Sequence, residues 1–378
     1  MLPRERFLRQ LSGETADEPF LWESGLWSTA VDRWRKEGLA ADADPYEHLG
    51  LERIASTSVS PWPDPPLAER VVRDEGESLL IDMEGGGRYR RFKHIMIPGN
   101  ATECQEEPII FCLRDRESWR FLQTRLDPRS PGRIEARRGF VEGERQSTRA
   151  NIGLSASFDP TDGFATLIYV MTPGYWLVRT AGLAATALML YDEPSLVEEI
   201  YEYVTYFLET QLAAIFEKRV PDALALNEGS AASGHGEFMS PEMYRRFALP
   251  GLARLAGVCR EAGVRFVFIH SGGDVGRLAS EWKEIGANGL LPLDAATDIE
   301  RLCRDHRDIA LIGGIDRRAL EGSPERLKAE VRRKAGVLFG HGRAIPSGDA
   351  HFPISDKVSL GNMKRYVTLL REAARRAW

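Results

Sequence analysis

The sequence is poor in cysteine, in long apolar runs and in excess charge of either sign. Its four cysteines (Cys104, Cys112, Cys259 and Cys303) form no CxxC pair, so we expect reduced thiols in a cytoplasmic protein. No window approaches the roughly eighteen consecutive apolar residues of a membrane span, so no membrane partner is expected. The 50 basic and 56 acidic residues give a formal net charge of -6, which gives no reason to expect a nucleic-acid partner.

Two phosphate-binding motifs are also missing. Neither GxGxxG nor GxxxxGK[ST] occurs, so a dinucleotide or nucleoside-triphosphate site has no support. The start of the chain, MLPRERFLRQLSG, is a charged amphipathic helix without the apolar centre of a signal peptide. The 378 residues are 43% hydrophobic and 28% charged, as is typical of a soluble globular protein.

The stretch from Val264 to Asp294 predicts a strand, a helix and a second strand. The β-branched and aromatic run 264–269 predicts a buried strand ending at His270. Glycines then allow a sharp turn, and Asp274 is placed to cap the following helix. A second apolar strand, 289–293, ends at Asp294. Polar residues therefore follow both strands at the edge where parallel α/β folds carry their chemistry.

The same alternation extends over the C-terminal half of the chain. Strands are predicted at 165–171, 222–226, 264–269, 289–293, 309–312 and 343–346, with helices between them. This order predicts the α/β class and favours a single (β/α)8 TIM-type barrel with N-terminal helical and β-hairpin elaborations. Residues 1–163 would hold those elaborations and the first barrel strand, Phe20–Glu23. Residues 164–378 would hold the regular units.

Polar residues at the predicted strand ends should converge on one rim of the barrel. They are Asn227, Glu228, His270, Asp294, Asp349 and His351. Glu228, His270 and Asp349 offer one imidazole and two carboxylates, which suit zinc or another divalent ion, or an acid/base set. The alternative is a hydrogen-bonded polar rim around a substrate. Asn227, Asp294 and His351 are then candidates for substrate binding.

Three further candidates lie near the N-terminus. Trp22, Glu23 and Trp27 form an aromatic segment with one acid. Such aromatic density is usually core or lid packing. The alternative interpretation is that these three side chains line the mouth of the site. His235, in the loop ahead of a predicted helix at Ser240, is less favoured as a rim residue.

Several motifs together resemble the uroporphyrinogen decarboxylase superfamily, which includes the decarboxylases of haem synthesis and corrinoid-linked methyltransferases. They are RERFLRQLSGE, SPEMYRRFALP, FIHSGGDVGRL with GANGLLPLD, LIGGIDRRAL, and IPSGDAHFPISDKVSLGNMKRYV. The resemblance spans nearly the whole chain in the same motif order. It implies a single (β/α)8 barrel.

The chain departs from the pattern of the haem-synthesis decarboxylases. Those enzymes carry an arginine-rich RQAGRY-type loop that clamps the carboxylates of the substrate. Here the corresponding residues are Glu23-Ser24-Gly25-Leu26-Trp27, without arginine. We therefore do not expect a tetracarboxylate substrate.

The chain also departs from the thiol-activating methyltransferases, which hold zinc with a His-x-Cys pair and a distant cysteine. His270 matches the histidine, but Gly272 replaces the first cysteine and Ser347-Gly348 stands near the second. The resemblance then implies a metal held by His270 with oxygen ligands such as Glu228 and Asp349. The Asp-His pair of the methyltransferase-like branch becomes Asp349-Ala350-His351.

We expect a methyltransferase-like enzyme that moves a methyl group between a small methoxy- or methylamine-type substrate and a corrinoid carrier protein. The corrinoid would reside on the partner, because no DxHxxG cobalamin-binding motif occurs in this chain. One alternative is a lyase or decarboxylase acting on a small carboxylate, with Glu228 or Asp349 as proton donor. Another is a non-catalytic ligand-binding barrel. The protein is expected to be a monomer or homodimer.

Overall fold

Strands and helices alternate along the chain in the computed structural model, which describes residues 1–14, 17–96, 104–130, 133, 163–229, 232–233, 236–349 and 353–378. The strands are β1 (Ile54–Val59), β2 (Glu69–Asp74), β3 (Ser78–Met83), β4 (Arg88–Met96), β5 (Cys104–Ile110), β6 (Ala165–Met171), β7 (Ala223–Asn227), β8 (Ala232–Ser233), β9 (Gly236–Glu237), β10 (Phe266–His270), β11 (Gly289–Leu293), β12 (Ala310–Ile315) and β13 (Ala344–Gly348).

The helices are α1 (Pro3–Leu11), α2 (Ser28–Lys36), α3 (Pro45–Leu49), α4 (Arg116–Gln123), α5 (Pro173–Ala181), α6 (Leu183–Asp192), α7 (Pro194–Phe216), α8 (Pro241–Phe247), α9 (Leu249–Glu261), α10 (Ala279–Glu284), α11 (Ile299–Asp305), α12 (Arg317–Leu320), α13 (Pro324–His341) and α14 (Leu360–Ala377). In the described part of the chain, none of them has the length and apolar composition needed to cross a membrane.

Seven strands form one parallel sheet in the order β1-β6-β7-β10-β11-β12-β13. The predicted α/β class and parallel sheet are confirmed, and every strand predicted from residue 165 onward is found within a few residues. The strand β1 was not predicted. Its sequence, IASTSV, lacks a long apolar run, because small hydroxylated residues such as Thr57 are buried there instead.

Residues 20–23, which we call segment 20–23, lie against the start of β1 on one side and against β13 on the other. The segment makes a single parallel bridge, from Trp22 to Glu52, and the Glu52 amide donates to the Leu21 carbonyl at 2.7 Å. The predicted first barrel strand is therefore only a bridge. What is seen in the described residues is a curled seven-stranded parallel sheet, not eight paired strands.

The interior of the curled sheet is filled by alternate side chains of its strands. Tyr169, Ala225 and Phe268 belong to this interior cluster, because successive side chains of a strand point to opposite faces. The residues between them, such as Leu226 and Ile269, pack outward against the helices. Phe7 and Leu11 of α1 belong to the interior cluster and are fully buried.

A second sheet stands apart from the parallel one. It is antiparallel, with the order β2-β3-β4-β5. The β-hairpin predicted among the N-terminal elaborations is found as the pair β3 and β4, joined by a turn with positive φ at Gly85 and Gly86. The sheet belongs to the predicted N-terminal elaborations.

Two helix predictions need correction. The helix expected directly after Asp274 begins only at Ala279, because the Asp274 carboxylate accepts the amide of Gly276 in a local turn and caps no helix. The helix expected from Ser240 to Ala262 is divided into α8 and α9 at Ala248. Pro250 follows that break, and its ring lacks the amide hydrogen needed to continue the helix.

Candidate active site

Asn227 and His270 meet at the carboxyl ends of β7 and β10. They are register partners in the sheet, and alternation from Ala225 and Phe268 points both side chains inward. Asn227 Oδ1 lies 2.9 Å from His270 Nδ1, and the imidazole is 8% exposed. An amide oxygen can only accept a hydrogen bond. Nδ1 therefore carries the proton, and in the neutral ring Nε2 carries the lone pair.

Aromatic side chains stand beside this histidine. The rings of Tyr169 and His270 are 5.8 Å apart between centroids and nearly perpendicular, at 89°. This edge-to-face arrangement is favourable for two rings and limits the orientation of the imidazole. Burial raises the pKa of Tyr169 well above its ordinary value, so the phenol stays protonated. Trp22 belongs to the same interior cluster.

Glu228 faces away from the side chain of His270. As the next residue after Asn227, it points to the opposite face of the strand. Its carboxylate accepts a hydrogen bond from the Thr172 hydroxyl at the start of α5. Burial raises the pKa of Tyr201 and Tyr244, and the charge of Glu228 adds to the rise. Both tyrosines belong to helices that cover the sheet. The Glu228 backbone contacts His270, its amide donating to the His270 carbonyl at 2.8 Å.

Asp349 lies directly after β13 and is half-buried. Its amide donates to the Ile315 carbonyl at 2.9 Å, and its carboxylate accepts the Arg317 amide at 3.2 Å. Burial raises the pKa of Asp349 above its ordinary value; the Arg317 amide opposes the rise, and the charges of Asp294 and Asp316 add to it. Asp349 therefore keeps its proton to a higher pH than an exposed aspartate does, which suits a proton donor.

Asp294 and Asp316 are occupied with backbone hydrogen bonds, as turn formers are. Asp294 accepts the amides of Gly273 and Ala296 at 2.9 and 2.8 Å. Asp316 caps α12 by accepting the Arg318 amide. Asp294 lies within electrostatic reach of Asp349, and its role in substrate binding stays a prediction.

The structure places the three N-terminal candidates in different surroundings: Trp22, Glu23 and Trp27. Trp22 points into the interior, and Glu23, one residue later, points outward, where Tyr366 of α14 donates to its Oε1 at 2.7 Å. Burial raises the pKa of Glu23 to about 7, against the opposing hydrogen bonds from Tyr366 and Gly348. Trp27 is half-buried, and its Nε1 donates to the Pro353 carbonyl at 2.8 Å. Glu23 thus contacts a helix outside the sheet and does not line the mouth.

The predicted metal ligands do not form a group. Within the described ranges, no three His, Cys, Asp or Glu side chains lie close enough to hold a metal ion. Glu228 and His270 are separated because side chains alternate along an extended chain, which directs these two to opposite faces of the sheet. His351 and His235, the other predicted rim histidines, lie outside the described residues.

Three contacts of the site were not predicted from the sequence. Tyr169 lies on a predicted strand, and counting inward positions along 165–171 would have found it. Thr172 and Tyr366 contact carboxylates that are 56 and 343 residues away in sequence. No local pattern signals contacts of that kind.

One family model matches this chain. Residues 166–345 match the model described as uroporphyrinogen decarboxylase (URO-D). This range begins in β6 and ends in β13, and it includes Asn227 and His270. No curated protein sequence matches the chain.

Solved structures add a likeness of fold. A methyltransferase from Methanosarcina mazei superimposes with a TM-score of 0.56 at 16% identity, covering 98% of this chain and 99% of that one. A candidate vitamin-B12 independent methionine synthase from Listeria monocytogenes reaches a TM-score of 0.41 at 13% identity, covering 96% and 99%. The first likeness extends over the elaborations as well as the parallel sheet, and the second is too weak to add to it.

Proposed function

We propose a function from one premise: this chain belongs to the uroporphyrinogen decarboxylase superfamily, whose model its residues 166–345 match. We infer that it is an enzyme that moves a methyl group between a small methoxy- or methylamine-type substrate and a corrinoid carried by a partner protein. The observation that carries the proposal is the inward-facing His270, held by Asn227 and bordered by Tyr169. The fold likeness to a methyltransferase along the whole chain is further support.

The proposed substrate cavity is the carboxyl end of a barrel whose eighth position is filled by segment 20–23. There Trp22 and Tyr169 provide apolar walls and His270 a polar group. Small-molecule sites of this kind are mostly apolar with a few placed polar groups. A small neutral or singly charged substrate suits such walls better than a polycarboxylate does.

His270 would handle the proton of the reaction. A methyl group that leaves an oxygen or nitrogen leaves behind an atom that must gain a proton. Protonated His270 donates from Nε2 to that atom and becomes neutral, and in the reverse direction Nε2 takes the proton back. Asn227 accepts the Nδ1 hydrogen in both states, so the ring need not turn between them. The partner's corrinoid, when bound, supplies the atom that takes the methyl group.

Metal chemistry is not part of this proposal. No three of the described carboxylates, imidazoles and thiols lie close enough to hold a metal ion. Glu228 is turned toward Thr172. The residues that act are therefore His270 as proton carrier, Asn227 as its orienting neighbour, and the aromatic walls.

The test is methyl transfer from methoxy and methylamine compounds to free cob(I)alamin, followed by absorbance. We expect turnover with the wild-type protein and a loss of about 10²- to 10⁴-fold in His270→Ala, the range for removal of a general acid or base. His48→Ala, at an exposed histidine, is the matched control and should retain wild-type turnover. Absence of transfer from every compound in the panel would contradict the proposal.

A lyase that acts on a small carboxylate is a second candidate, favoured by one observation. Burial raises the pKa of Asp349 above its ordinary value, which suits a proton donor, and the Arg317 amide lies beside it. In a decarboxylation, Asp349 would give its proton to the carbon that loses carbon dioxide. Release of carbon dioxide that is lost in Asp349→Asn, without methyl transfer, would favour this candidate.

A further inference from the structure

The seam between segment 20–23 and β13 is joined by side chains. No backbone hydrogen bond crosses it among the described residues. At one end, the Phe20 amide donates to Gln10 Oε1, and Gln10 Nε2 donates to the Ala344 carbonyl, both at 2.7 Å. At the other end, the Gly348 amide donates to both carboxyl oxygens of Glu23, at 3.1 Å each. The side chains of Gln10 and Glu23 thus make the hydrogen bonds that backbone groups make between the other strands of the sheet.

Both bridging side chains are held inside the protein. Gln10 is 1% exposed and Glu23 is 3% exposed, and Tyr366 fixes Glu23 from the side of α14. A buried amide without an acceptor costs the desolvation of that group. The amide of Gly348 at the end of β13 therefore depends on Glu23 for its acceptor.

Gly348 fits its role by its lack of a side chain. A Cβ atom at this position would lie 3.1 Å from Glu23 Oε2, tighter than ordinary van der Waals contact. The φ angle of Gly348 is not among the positive ones, so its conformation is open to other residues. The close approach of the carboxyl is what favours glycine here.

The residue after Gly348 is Asp349, whose carboxylate accepts the Arg317 amide at the rim. We propose that Glu23 is a positioning residue: by accepting the Gly348 amide across the seam, it fixes Asp349 at the carboxyl end of the sheet. The inference rests on the second candidate function, the lyase, only in taking Asp349 as part of the site. Gln10 makes the equivalent bridge at the far end, next to Ala344, and has no contact with that rim.

The test is amide hydrogen exchange of the full chain, resolved at Gly348 and Arg317. We expect Glu23→Ala to speed exchange at both amides by about tenfold or more, the factor for losing one ordinary hydrogen bond. Glu23→Gln keeps an acceptor oxygen and should restore protection. Gln10→Ala is the matched control: it opens the opposite end of the seam and should speed exchange at Phe20 but not at Gly348 or Arg317.

Should Glu23→Ala fail to fold, Glu23→Asp takes its place, because one methylene less withdraws the carboxyl from Gly348. Unchanged exchange at Gly348 and Arg317 in the Ala or Asp variant would overturn the proposal. Equal loss of protection at Gly348 and Arg317 in Gln10→Ala would also overturn the proposal, because it would mean that any change at the seam destabilises both of its ends. The readout uses no substrate, so the methyl-transfer proposal can fail while this one stands, and the reverse.

Discussion

Replacement of Glu23 by glutamine should remove a pH dependence of stability that the wild-type protein has. Burial raises the pKa of Glu23 from 4.5 to about 7 in the folded protein, whereas the unfolded chain should keep the ordinary value. One pKa unit corresponds to about 1.4 kcal/mol. The rise therefore corresponds to about 3 kcal/mol in the free energy of unfolding.

The sign follows from which state holds the proton. Below about pH 4.5 both states are protonated, and the full contribution to stability is present. Between pH 4.5 and about 7 the unfolded chain releases the proton first, so the folded protein loses stability as pH rises. Above pH 7 the folded state holds a buried carboxylate, and the contribution of about 3 kcal/mol is gone. Glutamine does not titrate, so Glu23→Gln should lack this loss.

The assay is urea unfolding of the wild-type and Glu23→Gln proteins from pH 4.5 to 8. The difference between their free energies of unfolding should change by about 3 kcal/mol across this range, in favour of the variant as pH rises. Glu261→Gln, at an exposed glutamate, is the control and should follow the wild-type curve. Parallel curves for wild-type and Glu23→Gln would refute the reasoning, because they would mean that Glu23 titrates alike in both states.

Three further outcomes are expected. Nitrogen-15 NMR of the neutral His270 ring should show the proton on Nδ1, because Asn227 accepts it. The variant Asn227→Leu should lose this preference. A proton on Nε2 in the wild type would contradict the hydrogen bond between the two residues. Elemental analysis of protein purified without chelators should give the same metal content for wild-type and His270→Ala, because Glu228 is turned toward Thr172 and away from His270. Near-stoichiometric metal that is lost in the variant would contradict that geometry. Gly348→Ala should lower the free energy of unfolding by about 1–3 kcal/mol through overpacking against Glu23, measured by urea unfolding; a wild-type midpoint would show that the carboxyl can retreat.

The regular part of the fold was accessible from the sequence, because each strand is a short run of buried apolar residues. Runs such as 165–171 and 266–270 are buried throughout, so their apolar character was visible without a structure. The strand β1 was not visible, since its buried residues include a serine and a threonine. The seam was not visible either, because the hydrogen bonds that reach β13 join a side chain to a backbone group 325 or more residues away.

The candidate site shows a limit of a different kind. His270 and Asn227 were both predicted at strand ends, and they do meet. The same prediction grouped Glu228 with them, although it directly follows Asn227, and consecutive residues of an extended chain point to opposite faces. Applying that rule to 227 and 228 would have separated the two. The outward turn of Glu23 after the inward-facing Trp22 follows from the same rule.

The seam also constrains how the protein is made. Glu23 must find an amide 325 positions later in the chain, so the seam cannot close while β13 is still being synthesised. At about 5–20 residues per second, the N-terminal segment waits roughly 16 to 65 s for that partner. During this interval Phe20 and Trp22 lack the interior that later buries them. Until β13 has been synthesised, these two aromatic side chains therefore lack their native burial.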